Sequence, residues 1–418
     1  MDYKQMMRQI CMQAKEAANS LMSLTPETKN KVLLSTADIL LEEKESIIEA
    51  NKIDLESGRG KNLSKAMLDR LELNEKRLKE MADALKQVAQ LEDPVGEIFD
   101  VRVRPNGLQI GRMRVPIGVI GIIYEARPNV TIDAAALCLK SGNAVILRGG
   151  SEAINSNNKL AEIFSSGCKE NNVHPYAVQL IPIPDRQMVS EMLQMDKFID
   201  LIIPRGGKSL IEKVVSESLI PVIKHYDGNC FVYVDESADL KMATDIVINA
   251  KTQRPGVCNA METLLVHKSV AKEFLPHCAE ELRNRGVEIR ACPIAKIFAP
   301  FAKDATEEDW STEYLDLILA VKVIENFDEA VNFINRYGSH HTDAIVTRDY
   351  ERAHQFLRKI DSACVLINCS TRFSDGGEFG LGAEIGISTD KLHARGPMAL
   401  KELTTAKFIV LGSGQIRT

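Results

Sequence analysis

The sequence lacks both a long apolar stretch and a block of basic residues. Its longest apolar run, Val115–Tyr124, has about ten residues, whereas a membrane-spanning helix requires about twenty. The 52 basic and 58 acidic residues give a formal net charge of −6, and no basic cluster provides a surface for nucleic acid or an anionic membrane. We therefore expect no nucleic-acid partner and no membrane insertion. Because Met1–Lys4 lacks the apolar core of a secretory signal, we expect a cytoplasmic protein.

Paired cysteines and the common glycine motifs are absent as well. The nine cysteines include no CxxC pair, and their odd number in a chain of 418 residues argues against a disulfide framework or a zinc ribbon. No GxGxxG stands at a strand–helix junction, and Gly207-Lys208-Ser209 fails the P-loop pattern because Ile202 occupies the first glycine position. Most of the cysteines are therefore expected to be small buried side chains.

The N-terminal region has helical periodicity that changes to a strand pattern. Apolar residues at three- and four-residue spacing predict helices over residues 6–24, 29–53 and 64–91. Thr25-Pro26-Glu27 is a typical helix start. From Gly96 to Arg114 the apolar residues alternate, and Pro105-Asn106-Gly107 predicts the turn of a β-hairpin.

Short apolar strands alternate with helices from Val115 onwards. A first cycle has strands over 117–123, 144–147, 178–181 and 201–203, and a second has strands over 231–234, 263–266, 317–323, 344–347 and 365–368. Buried strands separated by helices indicate parallel sheets covered on both faces. The predicted fold class is α/β with two parallel-sheet domains. A helix over 398–403 and a strand over 407–411 are predicted to end the chain.

Two turns are candidates for binding phosphate. Arg148-Gly149-Gly150-Ser151 follows one strand, and Arg205-Gly206-Gly207-Lys208 joins another strand to a helix. Glycines let a phosphate approach the backbone, and a helix N-terminus presents N–H groups to it. Either turn is equally consistent with a tight connection that binds nothing.

Cys258 is the strongest candidate for a reactive thiol. It follows Arg254-Pro255-Gly256 in a predicted loop, where arginine and polar neighbours favour the thiolate. The other cysteines lie in helical or strand contexts with apolar neighbours, as Cys138 does. From the residues alone, a structural role for Cys258 stays open.

The adjacent histidines His340 and His341 raise the question of a metal site. Neighbours on a strand point apart and no spaced third ligand is evident, so we place no metal here. Substrate contact or a satisfied polar loop is the better interpretation. The acidic, glycine-rich segment 374–378 is either a solvated connection or a site for an amino group.

Four motifs together resemble the aldehyde dehydrogenase superfamily over nearly the whole chain, and within it the gamma-glutamyl phosphate reductase family. The motifs are Val115–Asn129, Leu139–Gly150, Gln253–Asn259 and Ala330–Ile345. The resemblance implies an aldehyde-dehydrogenase-like fold with a nucleotide-binding domain over 1–97 and 115–228, a catalytic domain over 229–373, a β-hairpin oligomerisation element with strands over 98–114 and 404–418, and a returning segment over 374–403. Because such strands expose their edges, we expect a homo-oligomer.

The resemblance also implies an activity, the NADPH-dependent reduction of L-glutamate 5-phosphate to L-glutamate 5-semialdehyde and phosphate in proline biosynthesis. It makes Cys258 the nucleophile that forms a thioester and Asn129 the amide of the oxyanion hole. The implied cofactor-binding residues are Arg148, Gly149, Ser151, Gly206 and Gly207, and the implied substrate-binding residues are Arg127, Arg254, His340 and His341. In an ungapped comparison Arg127 takes the place of the amide, which would make it a ligand of the leaving phosphate. A transient contact with glutamate 5-kinase, the preceding enzyme, is implied as well.

One segment departs from the hydrolytic members of the superfamily. His225–Asn229 stands where they carry a glutamate base in a Glu-Leu-Gly-Gly string, and that glutamate is missing. A reductase that releases phosphate has no need to activate water on its thioester, although Asp227 still offers a carboxylate. Two alternatives stay open, a CoA-acylating aldehyde dehydrogenase of the same fold and a non-catalytic nucleotide-binding relative.

Overall fold

The computed structural model describes residues 2–224 and 226–417, and the chain forms two compact units. The first unit spans Met1–Lys224, Leu381–Gly386 and Met398–Thr418, and the second spans His225–Gly380 and Ile387–Pro397. The predicted α/β class with parallel sheets is confirmed, whereas the functional division into domains stays a prediction. Among the helices of the described residues, none combines the length and the hydropathy of a membrane-spanning segment.

The helices of the N-terminal region begin at clear capping signals. Thr25 Oγ1 accepts a hydrogen bond from the N–H of Thr28, and Pro26 occupies the first helical position, as the sequence predicted. The α-helices of the described residues are α1 (Tyr3–Leu21), α2 (Pro26–Glu42), α3 (Lys44–Gly60), α4 (Lys65–Leu71), α5 (Glu75–Gln90), α6 (Asn129–Lys140), α7 (Ile154–Glu170), α8 (Arg186–Leu193), α9 (Lys208–Glu217), α10 (Leu240–Thr252), α11 (Lys268–Asn284), α12 (Pro293–Phe298), α13 (Phe327–Tyr337) and α14 (Tyr350–Lys359).

The strands are short, and most of them belong to parallel sheets. In chain order they are β1 (Ile98–Val103), β2 (Gln109–Pro116), β3 (Val119–Tyr124), β4 (Ala144–Arg148), β5 (Val178–Leu180), β6 (Leu201–Arg205), β7 (Cys230–Val234), β8 (Met261–His267), β9 (Glu288–Ala291), β10 (Lys303–Asp304), β11 (Ile318–Ile324), β12 (Thr342–Val346), β13 (Cys364–Ile367), β14 (Ile387–Ser388), β15 (Gly396–Pro397) and β16 (Thr404–Leu411).

The first unit contains one parallel and one antiparallel sheet. The parallel sheet has the order β5-β4-β3-β6, and every residue of β3 and β4 is buried. The antiparallel sheet has the order β1-β2-β16, so the predicted hairpin is confirmed and the terminal strand completes it. The outer strands leave apolar side chains exposed, including Val103 and Phe408.

The second unit is built on a parallel sheet of order β10-β9-β11-β8-β7-β12-β13. Successive side chains of β7 point to opposite faces of that sheet. Val232 and Val234 join one core cluster with residues of α10 and α11, and Phe231 and Tyr233 join another with residues of α13 and α14. Burial on both faces explains why β7 is apolar throughout.

Several predictions of secondary structure were wrong or incomplete. The single helix over 29–53 is two helices, because the backbone leaves the helical region at Glu43, and the apolar spacing runs on through that break. The helix over 398–403 is absent; β16 begins at Thr404, which pairs with Pro116 and leaves room for one turn only. The helix over 64–91 is likewise two helices, α4 and α5, and the prediction missed β9, β10, α12, β14 and β15.

Candidate active site

Cys258 lies in the second unit, in the turn between α10 and β8, and is half-buried. All nine cysteines are reduced thiols. Burial raises the pKa of Cys11 and Cys278 to about 12, and burial also raises the pKa of Cys369, the other half-buried cysteine. Such thiols stay protonated at neutral pH. The position of Cys258 in a partly accessible turn suits a nucleophile better.

The backbone of Cys258 rests directly against Gly228. A Cβ at Gly228 would lie 1.9 Å from the carbonyl oxygen of Cys258 and 2.5 Å from its Cα. The same carbonyl oxygen accepts a hydrogen bond from Cys230 Sγ at 3.1 Å. The N–H of Gly228 donates to Glu313 Oε1 at 2.9 Å. The segment that leads into β7 therefore fixes the turn of Cys258, and a side chain at residue 228 would displace it.

The half-buried Glu313 and the fully buried Glu262 lie within electrostatic reach of Cys230, next to this contact. Burial raises the pKa of Glu313, the charge of Asp227 adds to that effect, and the N–H of Gly228 opposes it. Lys251 Nζ and Glu262 Oε2 form a fully buried ion pair at 2.5 Å, and burial raises the pKa of Glu262 to about 7. Glu313 therefore lies beside the segment in which hydrolytic relatives carry their base, a position that the sequence analysis missed.

Arg372 lies against the loop that carries Cys258. Its Nε donates to Gln253 Oε1 at 2.8 Å, and Asn259 Nδ2 donates to the carbonyl oxygen of Ser374 at 2.8 Å. These two hydrogen bonds hold the loop on both sides of Cys258. Burial lowers the pKa of Arg372, the charge of Arg254 adds to that effect, and Asp375 and Cys258 oppose it. The two guanidinium groups therefore lie within electrostatic reach of each other and of the thiol.

The two histidines differ in their surroundings. His340 has a φ of +61°, and its Nδ1 lies 2.7 Å from the carbonyl oxygen of Asp361. His341 is fully buried, with its Nδ1 2.8 Å from Thr342 Oγ1 and 3.8 Å from Cys230 Sγ. His341 thus packs against Cys230. Direct contact of either histidine with the substrate stays a prediction. Within the described ranges no three histidine, cysteine or acidic side chains are grouped to hold a metal ion.

Asn129 and Arg127 belong to the first unit, between β3 and the first turn of α6. Asn129 begins α6, and its Nδ2 donates to Asp133 Oδ2 at 2.9 Å. Burial raises the pKa of Asp133 to about 6, and this hydrogen bond opposes the rise. An amide nitrogen carries two hydrogens, and this contact uses one of them. Asp133 therefore orients the amide with an N–H left to donate, while Arg127 lies exposed nearby.

Cations gather at the carboxyl end of β4. Arg148 is the last residue of the strand, is only 9% exposed, and donates from Nη2 to the carbonyl oxygen of Pro184 at 2.8 Å. Burial lowers the pKa of Arg148, the charges of Glu152 and Glu125 oppose that effect, and the charge of Arg186 adds to it. Arg186 begins α8 and is exposed, as is Ser151 just after the strand. This edge therefore presents two guanidinium groups and a hydroxyl, with carboxylates within electrostatic reach of Arg148.

The predicted glycine turns already hold protein groups. Glu125 Oε2 accepts the N–H of Gly207 at the start of α9, at 3.0 Å. A Cβ at Gly206 would lie 2.5 Å from the same oxygen, and one at Gly149 would lie 2.1 Å from Nδ2 of Asn157. Close packing therefore accounts for these glycines, and their role in binding a cofactor stays a prediction.

Several residues of the two clusters escaped the sequence analysis. Glu313, Arg372 and Arg186 lie far along the chain from the motifs that they contact. Arg186 follows Asp185, which caps α8. This helix-start signal is visible in the sequence and could have placed Arg186 at the end of a strand–helix connection. For Glu313 and Arg372 the sequence carries no spacing signal, because tertiary packing alone brings them to the turn of Cys258.

Comparisons with known proteins show the family of the chain. The aldehyde dehydrogenase family model matches residues 2–292 and 303–409. Gamma-glutamyl phosphate reductase of Caldanaerobacter subterraneus subsp. tengcongensis is 58% identical over 404 residues, 97% of this chain and 98% of its own. Its counterpart in Geobacter metallireducens is 56% identical over 417 residues and the whole of both chains.

A solved structure extends the likeness to the fold. The crystal structure of gamma-glutamyl phosphate reductase from Thermotoga maritima superposes with a TM-score of 0.97 at 49% identity, covering 99% of this chain and 100% of that one. Members of the aldehyde dehydrogenase family use nicotinamide cofactors. The chain belongs to the aldehyde dehydrogenase family and, within it, to the gamma-glutamyl phosphate reductases.

Proposed function

We propose that this chain reduces L-glutamate 5-phosphate to L-glutamate 5-semialdehyde and phosphate, with NADPH as the reductant and a thioester on Cys258 as the intermediate. The observation that carries the proposal is the turn of Cys258, half-buried and fixed by Gly228, with Arg254 and Arg372 beside it. A thiol in such surroundings attacks an acyl phosphate, whose leaving group is already activated.

The reaction divides into two steps at the sulfur of Cys258. The thiolate bonds to the acyl carbon, and the bond from that carbon to the phosphate oxygen breaks with its electron pair on phosphate. Bound NADPH supplies the hydride that reduces the thioester. The oxyanion left on the reduced carbon re-forms the carbonyl double bond while the carbon–sulfur bond breaks with its electron pair on Cys258, and the aldehyde is released. The backbone N–H of Cys258 and the amide of Asn129 are the proposed donors to the oxyanion.

The edge of the first unit suits NADPH in particular. Arg148, Arg186 and Ser151 gather where a parallel α/β sheet commonly binds a nucleotide, at the carboxyl ends of its strands. A 2′-phosphate favours charge-assisted hydrogen bonds from guanidinium groups. Because Arg148 is nearly buried and bonded to Pro184, the exposed Arg186 is the better ligand, with Arg148 supporting it.

The antiparallel sheet supports the proposed assembly. Its outer strands expose large apolar side chains, with Val103 71% and Phe408 74% exposed. Unpaired strand edges with apolar faces attract further strands unless another chain covers them. A homodimer or a dimer of dimers is therefore proposed, and the contact with glutamate 5-kinase would be transient. A monomeric mass by light scattering at micromolar concentration would exclude the oligomer.

The activity is tested in the reverse direction. The enzyme is mixed with glutamate 5-semialdehyde and NADP⁺, either with phosphate or with CoA in its place. We expect NADPH formation to require phosphate and CoA to be inactive, since the alternative CoA-acylating activity would give the opposite pattern. Cys258→Ser should abolish turnover while the far-ultraviolet circular dichroism stays unchanged. Substantial turnover by that variant contradicts the role of Cys258.

A further inference from the structure

The pair Arg254 and Arg372 has an unusual charge balance. Elsewhere in the second unit, Arg290 pairs with Asp309 at 2.7 Å and Arg352 with Asp235 at 2.8 Å. Within residues 2–224 and 226–417, by contrast, neither Arg254 nor Arg372 forms a salt bridge, and the one side-chain hydrogen bond of Arg372 runs from Nε to Gln253. Asp375, also in the described ranges, lies within electrostatic reach of Arg372 but forms no salt bridge with it. Two like charges within electrostatic reach repel each other, and an anion bound between them removes that repulsion.

The position of the pair identifies the part of the substrate that it meets. Gln253 and Asn259 lie on either side of Cys258 along the loop, and their partners Arg372 and Ser374 are two residues apart. Residues 372–374 therefore lie against the loop that carries the thiol, and the guanidinium of Arg372 is anchored there through Nε, within electrostatic reach of Cys258. Paired N–H groups of this kind bind phosphate oxygens in a bidentate manner.

We propose that Arg254 and Arg372 form the anion subsite for the phosphoryl group that Cys258 displaces, and for inorganic phosphate in the reverse reaction. The inference rests on the proposed function and adds the ligands of the leaving group. Two cations match a phosphoryl dianion better than the single charge of the substrate carboxylate. In reverse, a phosphate oxygen bonds to the thioester carbon, and the bond from that carbon to sulfur breaks with its electron pair on Cys258.

The test compares Arg254→Gln and Arg372→Gln with wild type and with Arg358→Gln, whose exposed side chain lies in the last turn of α14. Turnover of semialdehyde and NADP⁺ is measured against phosphate concentration. We expect each variant of the pair to raise the KM for phosphate about tenfold or more, the loss typical of a charge-assisted hydrogen bond. The KM for semialdehyde and the NADPH formed in the first turnover should stay unchanged. The KM of Arg372→Lys for phosphate should lie between that of the wild type and that of Arg372→Gln.

Two further outcomes keep this inference separate from the proposed function. An unchanged KM for phosphate, or a raised KM for semialdehyde instead, overturns the anion subsite. Absence of first-turnover NADPH in the wild type overturns the thioester itself.

A measurement without turnover covers variants that fold poorly. Inorganic phosphate should slow the alkylation of Cys258 by iodoacetamide in wild type and in Arg358→Gln. In Arg254→Gln, phosphate should slow the alkylation of Cys258 less. Equal alkylation rates with and without phosphate in wild type refute the subsite.

Discussion

Gly228 lies directly against the backbone of Cys258, and a Cβ added at Gly228 would lie 1.9 Å from the carbonyl oxygen of Cys258. The position of Cys258, the proposed nucleophile, therefore depends on a residue from a separate segment. That segment is itself held by the hydrogen bond from the N–H of Gly228 to Glu313. The sequence predicts that the thiol lies in a loop, and the contact with Gly228 fixes the backbone from which the sulfur of Cys258 projects.

Gly228→Ala should lower kcat sharply while the protein still folds. The new Cβ forces the turn of Cys258 to move, and a shift of ~1 Å at a reacting group can cost ~100-fold in rate. Gly60→Ala is the control, because nothing lies within 4 Å of a Cβ at Gly60. Steady-state kinetics with circular dichroism would decide the matter. A Gly228→Ala variant as active as the control would show that the contact does not position the sulfur.

Asn129→Ala should reduce kcat with little change in NADPH affinity. The amide is oriented by Asp133 through the 2.9 Å hydrogen bond of Nδ2. Loss of one oxyanion donor typically costs about 100- to 1000-fold in kcat. The measurement is kcat beside the Kd for NADPH from nicotinamide fluorescence. If kcat is unchanged, Arg127 rather than Asn129 becomes the candidate for that place.

Arg186→Gln should weaken NADPH binding much more than NADH binding. The guanidinium of Arg186 is exposed, lies near Arg148 and can bind the 2′-phosphate that only NADPH carries. Arg148→Gln should weaken both cofactors, since Arg148 also holds the carbonyl oxygen of Pro184. Dissociation constants for both cofactors with both variants test the distinction. Equal losses for NADPH and NADH in Arg186→Gln would exclude the proposed contact.

Asp343 should make the protein less stable as the pH rises. The residue is buried, accepts the N–H of Phe231 at 2.9 Å and the hydroxyl of Ser362, and burial raises its pKa to about 7. The folded state therefore holds a proton that the unfolded state loses near pH 4. The stability contributed by that proton is complete below pH ~4 and is lost as the pH rises through about 7.

Asp343→Asn removes this titration. Relative to wild type, the variant should gain urea resistance between pH 5 and pH 8, with an upper limit of ~4 kcal/mol at ~1.4 kcal/mol per pKa unit. Urea midpoints of both proteins across that range provide the measurement. A difference that does not vary with pH would mean that Asp343 is ionised in the folded state throughout.

Short-range sequence patterns predicted most of the fold. The buried run of β3, the hairpin turn at Pro105–Gly107 and the start of α2 at Thr25 each have a short-range signal, so they were predicted correctly. The break at Glu43 has none, because the apolar spacing continues across it. The helix over 398–403 was predicted wrongly because its apolar residues are buried in a turn before β16, and burial in a turn gives the same apolar pattern as a short helix.

The site was less predictable than the fold. Cys258 stood out by its Pro-Gly loop, yet the groups that surround it, Gly228, Glu313 and Arg372, come from three separate segments. Their chemistry depends on burial and on neighbours that no spacing rule connects. The burial of His341 is a similar case, since only packing places it behind Cys230.

The most direct test of the central claim is a phosphate-free reaction of glutamate 5-semialdehyde and NADP⁺ in a stopped-flow instrument. If the thioester on Cys258 has no base to activate water, NADPH should appear in a burst of about one per active site and then stop. Added phosphate or arsenate should restart steady oxidation. Continuous NADPH formation without phosphate would contradict this account, and would mean that Asp227 or Glu313 brings water to the thioester.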